Sequence, residues 1–122
     1  MARLPHAYPF RFLDHEDPSR PLHAAFTAGA AFQRSGRAPA WILLEAMAQA
    51  AGLAAFSREG SGGMVLQVQR FRCPRPPDPG QRLALSVEVL QRVGPVVRVK
   101  VLARRGAKLA ARAVLTLREV PP

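Results

Sequence analysis

The segment that most constrains the fold of this chain is a continuous run of helix-forming residues in its first half. Residues 40–59 read AWILLEAMAQAAGLAAFSRE and follow Pro39, a residue type favoured at the first position of a helix. The glycine-rich residues 60–63 are typical of a helix end. The run approaches the length of a membrane span, but Glu45 and Gln49 near its middle favour a buried helix of a soluble protein.

The second half of this helix consists largely of small residues. A side chain that ends at Cβ keeps the distance between packed backbones short, so these positions predict close contact between the helix and neighbouring strands. The small residues are Ala46, Ala48, Ala50, Ala51, Gly52, Ala54 and Ala55.

The last third of the chain changes to a period of two residues, which is typical of strands with one buried face. The alternation runs through residues 82–91, 97–101 and 109–118, with turn residues at Gly94-Pro95 and at 105–107. It predicts an antiparallel meander of three strands. The positions predicted to face the core are Leu83, Leu85, Val87, Val89, Val97, Val99, Val101, Leu109, Ala111, Ala113, Leu115 and Leu117.

Two further strands are predicted outside the meander. Residues 64–71 form one of them, before a Pro-rich loop, and residues 22–28 form the other, after turn material at residues 16–21. One long helix on an antiparallel sheet is an α+β arrangement. Such a sheet leaves strand edges uncovered, and pairing with a second copy would bury them, so we expect a homodimer.

Length and composition predict one domain over residues 1–122, since single domains commonly contain roughly 100–200 residues. The N-terminal residues MARLPHAYPFRF include no apolar core of signal-peptide length, so we expect a cytoplasmic protein without a membrane span. The lone Cys73 cannot form an intramolecular disulfide, and no Cys/His cluster has the spacing of a zinc site. We expect no metal ion and no cofactor.

The charge of the chain is strongly basic, with 18 Lys and Arg residues against 8 Asp and Glu residues and a net charge of +10. Such a surface attracts nucleic acid, an anionic membrane or an acidic protein through a salt-sensitive field. The basic residues are scattered along the sequence and aromatic residues are few, which argues against a groove for single-stranded nucleic acid. An acidic protein partner stays open.

Three segments resemble the β-hydroxyacyl-acyl-carrier-protein dehydratases of the hot-dog fold. They are LPHAYPF followed by LD near the start, PAWILLEAMAQAAGLAA in the helix, and RFRCPRPPDPGQRLALSVEVLQ after it. The resemblance spans most of the chain in the right order, and LLEAMAQAAG is its most specific part. It implies a curved antiparallel sheet wrapped around a central helix, and a role in fatty-acid or polyketide-type metabolism.

The resemblance also implies a two-residue catalytic site, in which a loop His removes the α proton of an acyl thioester and a helix acid helps the β hydroxyl to leave. Glu45 matches the acid. The His position is Ala31 in an ungapped alignment, or Gln33 if SGR is matched to the Pro-Gly-Arg of the family. Because neither residue can transfer a proton as an imidazole does, dehydratase activity is in question.

The remaining candidate site residues are assigned to substrate binding. Phe32 and Arg34 lie in the altered loop, and in the ungapped alignment Arg34 replaces a family Gly whose backbone N–H supports the thioester carbonyl. Trp41 is placed to narrow the mouth of the pocket. Gln49 follows Glu45 by one helical turn and is placed to orient Glu45, a water molecule or a substrate amide. A buried carboxylate is costly, so Glu45 is expected to have a partner or a wet cavity.

The chain has three histidines that are candidates to replace the missing one. His6 lies in LPHAYPF, where a structural role is favoured, and His15 lies among acidic residues that indicate a solvated loop. His23 precedes the altered loop and remains a candidate. Asp14, His15, Glu16 and Asp17 have metal-compatible side chains without a recognised ligand spacing.

Three functions follow from these residues. The first is a dehydratase-like protein that acts on or binds acyl thioesters of acyl carrier protein or coenzyme A. The second is a thioesterase in which Glu45 activates water, which rests on analogy of fold. The third is a non-catalytic accessory subunit that binds an acyl group or a carrier protein, since acyl carrier proteins are typically acidic. Nucleic-acid binding rests on charge alone and is the weakest reading.

Overall fold

A computed structural model describes residues 15–16, 23–27, 40–56, 62–75, 77–78 and 80–120. Those residues form one helix and a six-stranded antiparallel sheet. The elements in chain order are β1 His15–Glu16, β2 His23–Thr27, α1 Ala40–Ala55, β3 Gly62–Arg72, β4 Arg82–Val93, β5 Val96–Arg105 and β6 Lys108–Val120. The predicted α+β arrangement is therefore the one observed.

Helix α1 begins at Ala40 and ends at Ala55, with a last helical hydrogen bond from the Phe56 N–H to the Gly52 carbonyl at 3.1 Å. The predicted helix extended to Glu59, which lies outside the described residues. The carbonyl of Ala55, at the end of the helix, accepts a hydrogen bond of 2.7 Å from the Arg92 side chain on β4. Helix-end carbonyls lack helical partners, so this bond satisfies one of them.

The sheet has the strand order β1-β2-β4-β5-β6-β3, and all neighbours are antiparallel. The predicted meander is the segment β4-β5-β6. Its two turns contain Gly94 with φ 57° and Gly106 with φ 60°, left-handed conformations that glycine adopts without a steric penalty. The described chain contains no helical segment with the length and hydropathy needed to cross a membrane.

Two sequence predictions differ from the structure at element boundaries. His15 was expected in a solvated loop, but its backbone pairs with Ala25 as part of strand β1. Gly62 and Gly63 were expected to end the helix, but they begin strand β3 and pair with β6. In both cases the backbone hydrogen bonds of a neighbouring strand stabilise an extended conformation that local sequence does not predict.

The core lies between α1 and the inner face of the sheet. Its strand residues are mostly the predicted alternating positions, and those that are buried are Leu83, Leu85, Val87, Val97, Val99, Val101, Ala111, Ala113, Leu115 and Leu117. Val89 and Leu109 were also predicted to be buried, and both are exposed, at 38% and 50%.

Irregularities in the strands explain these two exceptions. On β6, Ala111 pairs with Ala103 and Leu109 pairs with Arg104, so Ala110 is an extra residue that reverses the alternation. Such a β-bulge shifts every following side chain to the opposite face. On β4, the pairing with β5 shifts register between Val89 and Gln91, and the residues from Glu88 to Val93 are all exposed.

Gly63 fits into a narrow space between the helix end and the sheet. A Cβ atom at this position would lie 2.6 Å from Cε2 of Phe56 and 3.3 Å from Cδ2 of Leu117. Both neighbours are buried, so neither side chain can move away without disturbing the core. The absence of a side chain at Gly63 therefore permits β3 to pack against α1.

We expect Gly63→Ala to lower the free energy of unfolding by about 1–3 kcal/mol, the usual cost of overpacking a core. Urea denaturation followed by circular dichroism measures this change. Gly52→Ala is the matched control, because a Cβ atom there would have only an ordinary contact of 3.9 Å with the backbone of Gly63. Since alanine is the better helix former, the control should raise stability by roughly 0.5–1 kcal/mol. Equal effects of the two substitutions would contradict the packing argument.

Candidate functional site

The candidate acid, Glu45, lies on the exposed side of helix α1. It follows Trp41 by one turn, and both side chains are exposed, Trp41 at 60%. Ala48 and Gly52 continue the same side and are partly exposed. The opposite side of the helix is buried against the sheet through Ile42, Leu43, Ala46, Met47, Ala50, Ala51 and Ala55.

Gln49 has a different environment from Glu45 although the two residues are one turn apart. A step of four residues turns the helix by about 40°, and this rotation carries Gln49 to the border of the buried side. Its side chain is only 4% exposed, which makes it the buried polar side chain of the helix. The expectation that Glu45 also lies on a buried face is wrong for the single chain. Glu45 is open to solvent or to a second protein chain.

The loop that carries the other half of the predicted site lies outside the described residues. This applies to Ala31 and Gln33, the two alternatives for the missing His, and to the substrate-binding candidates Phe32 and Arg34. The structure therefore brings together Trp41, Glu45 and Gln49 on one helix. The assignments in the loop stay predictions.

Two of the three histidines belong to strands at one edge of the sheet, and His6 lies outside the described residues. His23 pairs with Ser86 on β4, whereas the next residue, Ala24, pairs with Leu85. Leu85 and Val87 are buried towards the helix, so Ser86 occupies a position that alternates with the helix-facing ones. The assignment of His23 as a substitute for the missing histidine stays a prediction.

Cys73 does not have the properties of a reactive nucleophile. It is partly buried and packs against the hydrophobic core at the end of β3. Burial raises the pKa of its thiol, whereas a reactive cysteine needs a lowered one. In the described part of the chain, no three His, Cys, Asp or Glu side chains are grouped so that they could hold a metal ion.

The basic residues, which are scattered in the sequence, lie together on one face of the sheet, and the sequence analysis did not predict this grouping. Strand pairing gathers Arg98, Lys100, Arg104, Arg112 and Arg118 on the outer face of the sheet, because each alternates with a residue buried against α1. The Glu88 carboxylate is paired with Lys100 on this face at 3.2 Å. The signal was present in the sequence as basic residues at the outward positions of each predicted strand.

Known proteins resemble this sequence over most of its length. No family model matches the sequence. The 3-hydroxyacyl-acyl-carrier-protein dehydratase FabZ of Lactococcus lactis subsp. cremoris (strain MG1363) is 31% identical over 95% of this chain and 89% of its own length. The chain belongs to the 3-hydroxyacyl-acyl-carrier-protein dehydratase family. The FabZ protein of Rhizorhabdus wittichii is 35% identical to this chain, over 95% of this chain and 83% of its own length.

Solved structures confirm the hot-dog fold of this dehydratase-family chain. The dehydratase heterocomplex ApeI:P from Xenorhabdus doucetiae matches with a TM-score of 0.79 and 20% identity over 96% of this chain and 88% of the other. A Streptococcus mutans protein bound to acetyl CoA matches with a TM-score of 0.73 and 14% identity over 95% and 93% of the two chains. A putative thioesterase from Ralstonia eutropha matches with a TM-score of 0.70 and 19% identity over 87% and 82%. The predicted family and fold are both confirmed.

We expect native Cys73 to react with iodoacetamide more slowly than the same residue in urea-unfolded protein, with the difference largest near the ordinary thiol pKa of about 8.5. Mass spectrometry of samples quenched over time measures the rate. Because the folded state holds the thiol proton more tightly than the unfolded state, the free energy of unfolding should also fall as pH rises above about 8.5. Equal rates in native and unfolded protein would contradict the burial of the thiol.

Proposed function

We propose that this chain is a dehydratase-like protein that binds acyl thioesters in the cytoplasm, with Glu45 as its acid. The observation that carries the proposal is the position of Glu45, exposed in the middle of the helix of a chain whose relatives are dehydratases. A carboxyl group on a rigid helix can hold a proton at a fixed place. We assign Gln49, which is buried one turn later, to orienting Glu45, a water molecule or a substrate amide.

The reaction of the family requires two proton transfers. A base removes the proton from the α carbon, the electron pair forms the α–β double bond, the β C–O bond breaks, and an acid protonates the leaving hydroxyl as water. Glu45 is suited to the second step. The first step has no imidazole at Ala31 or Gln33, and His23 stays a candidate replacement. The loss of a positioned base typically costs about 10²–10⁴ in rate.

A homologous partner chain offers a route to the missing base. Because Glu45 is exposed in the single chain, a second hot-dog subunit could place its own histidine opposite this carboxylate. A similar protein of known structure is named a dehydratase heterocomplex, which supports such pairing of unlike chains. In this form the protein is an accessory subunit that supplies the acid, and its partner supplies the base.

Thioester hydrolysis is the second candidate function. An exposed carboxylate can activate water directly, and this chemistry does not need the missing histidine. The similarity to a putative thioesterase of the same fold supports keeping it, although it is an analogy of fold alone. In either reaction the acyl group comes from an acyl carrier protein or from coenzyme A. Phe32, Arg34 and Trp41 are the proposed binding residues around it.

The edge of the sheet favours a dimer. Strand β3 is the last strand on its side of the sheet in the described structure, and it exposes the apolar residues Met64, Val65, Leu66 and Val68. A long apolar edge strand is a template for pairing with another chain. We propose that β3 pairs with β3 of a second copy, or with that of a homologue, to form the dimer.

An activity assay of the wild-type protein and of Glu45→Gln distinguishes the dehydratase proposal from the thioesterase proposal. Purified protein is incubated with β-hydroxyacyl and enoyl thioesters, and their interconversion is followed by mass spectrometry, with free thiol release measured in parallel. Alone, the protein should convert these substrates at least roughly 10²-fold more slowly than a dehydratase with both residues. Co-expression with a homologous dehydratase whose acid has been removed should restore dehydration, and Glu45→Gln should abolish the restored activity.

Glu88→Gln is the matched control, because it makes the same chemical change at an exposed carboxylate of β4, on the outer face of the sheet and away from the proposed site. Restoration that persists in Glu45→Gln would eliminate the acid role. Thiol release that Glu45→Gln abolishes, without any interconversion, would favour the thioesterase. If Glu45→Gln changes none of these rates, the catalytic proposal fails.

The dimer proposal is tested on the edge strand. We expect the double variant Leu66→Lys, Val68→Lys to sediment as a monomer, because two charges would face the apolar edge of the partner. Analytical ultracentrifugation at micromolar concentration measures the change. Val93→Lys is the control, since Val93 is also an exposed apolar residue, at 65%, but lies on β4. A double variant that stays dimeric, or a monomeric wild-type protein, would refute the edge contact.

A further inference from the structure

A small cavity lies on the sheet at a distance in sequence from every residue of the proposed active site. Its volume is about 230 Å³, and it is lined by Arg70, Lys100, Arg112, Ala113 and Val114. The three basic residues come from three adjacent strands, β3, β5 and β6. Strand pairing, not sequence proximity, creates this group.

The cavity opens on the outer face of the sheet, opposite helix α1. Lys100 lies between Val99 and Val101, which are both fully buried against the helix, and Arg112 lies between the buried Ala111 and Ala113. Because successive side chains of a strand point to opposite faces, Lys100 and Arg112 point away from the helix. A ligand bound here would leave Glu45 accessible.

The electrostatics of the cavity favour an anion. No described carboxylate lines it, and in the described part of the chain neither Arg70 nor Arg112 forms an ion pair. Lys100 has one acidic neighbour, Glu88, at 3.2 Å. The positive charges of three such side chains repel each other when they are close, and an anion bound between them offsets this repulsion. Arginine adds a planar pair of donors that matches two oxygens of a phosphate.

Arg70 has a backbone conformation that makes the group more specific. Its φ of 52° lies in the left-handed region. Among the residues that the structure describes, Arg70 is the non-glycine residue whose φ is positive. It sits at an irregularity of β3, where Gln69 pairs with Val114 and the next recorded pair is Arg72 with Arg112. Bulges of this kind usually place glycine in the left-handed position, and they redirect the neighbouring side chain. A strained arginine at this place points to a role for its side chain.

The size of the cavity limits the ligand. Pockets that enclose a drug-sized molecule have volumes of roughly 300–1,000 Å³, so this cavity suits a small group instead of a whole nucleotide or cofactor. Val114, which alternates with the buried Ala113 and Leu115, gives it an apolar wall beside the cations. We propose that the cavity formed by Arg70, Lys100 and Arg112 binds the phosphoryl group of a small ligand. The group is either free phosphate or the phosphomonoester end of a small organic molecule.

Isothermal titration calorimetry with inorganic phosphate and with phenyl phosphate tests the proposal on the full chain. Both probes should bind saturably to one site. Arg112→Gln and Arg70→Gly should each weaken binding by roughly tenfold or more, the effect of losing a charge-assisted hydrogen bond. Arg98→Gln is the matched control, because Arg98 is an exposed residue of the same outer face that does not line the cavity. It should change the affinity less than about twofold, through the general field alone.

Arg70→Gly also separates ligand binding from stability. Glycine adopts the left-handed conformation without a steric penalty, so the melting temperature of this variant should be unchanged or higher while its affinity for phosphate falls. Arg112→Gln, which keeps a non-strained backbone, provides the second measurement if the glycine variant unfolds. Tighter binding of phenyl phosphate than of phosphate would assign the site to an organic phosphomonoester, and equal binding would assign it to free phosphate.

Three results would overturn the proposal. The first is the absence of saturable binding of both probes. The second is an equal loss of affinity in Arg98→Gln and in the cavity variants, which would show a diffuse field and no site. The third is binding of a single-stranded oligonucleotide that is tighter than that of either probe and weakened equally by all three substitutions, which would make the outer face a nucleic-acid surface.

Discussion

The close packing of helix α1 on the inner face of the sheet is the contact on which the other features of this molecule depend. Ala46, Ala50 and Ala51 are buried on the helix side of this contact. Their small side chains let the buried Leu and Val residues of β4, β5 and β6 approach the helix backbone closely. Each fully buried Leu or Val contributes about 1.5–3 kcal/mol, so the contact supplies most of the hydrophobic stabilisation described for the chain.

The same packing determines which residues the helix presents outwards. Once the alanine side faces the sheet, the period of 3.6 residues leaves Trp41 and Glu45 on the opposite side and Gln49 at the border. The position of the acid is therefore a consequence of core packing. A single hot-dog chain holds the Glu45 carboxylate in place but leaves it uncovered, so the catalysis that we propose requires a second chain or a water molecule opposite it.

Much of the fold could be predicted from local patterns, and the failures have physical causes. The turns at Gly94 and Gly106 and most of the inward positions of β4, β5 and β6 follow from a period of two and from turn chemistry. Leu109 could not be predicted correctly, because the extra residue Ala110 is a property of strand pairing and leaves no mark in the alternation. His15 pairs with Ala25 through backbone groups, and side-chain patterns carry little information about such bonds.

The candidate site was predictable where a motif identified it and hidden where only tertiary structure creates it. Glu45 and Gln49 were found because the helix motif is specific, although their different exposure required the orientation of the helix. The outer cluster of Arg70, Lys100 and Arg112 comes from three strands that are adjacent only in the sheet. No sequence spacing relates these residues, and the left-handed backbone of Arg70 has no sequence signature either.

The bond between Arg92 and the carbonyl of Ala55 has a consequence for the order in which the chain folds. The two residues are 37 positions apart, and the ribosome adds Arg92 only after β3 and most of β4 have been synthesised. The strands that bury the alanine side also follow the helix in the chain. During synthesis, the helix is therefore made before the strands that bury most of its inner side. Contacts of such large sequence separation form slowly, so we infer that the helix is seated on the sheet late in folding.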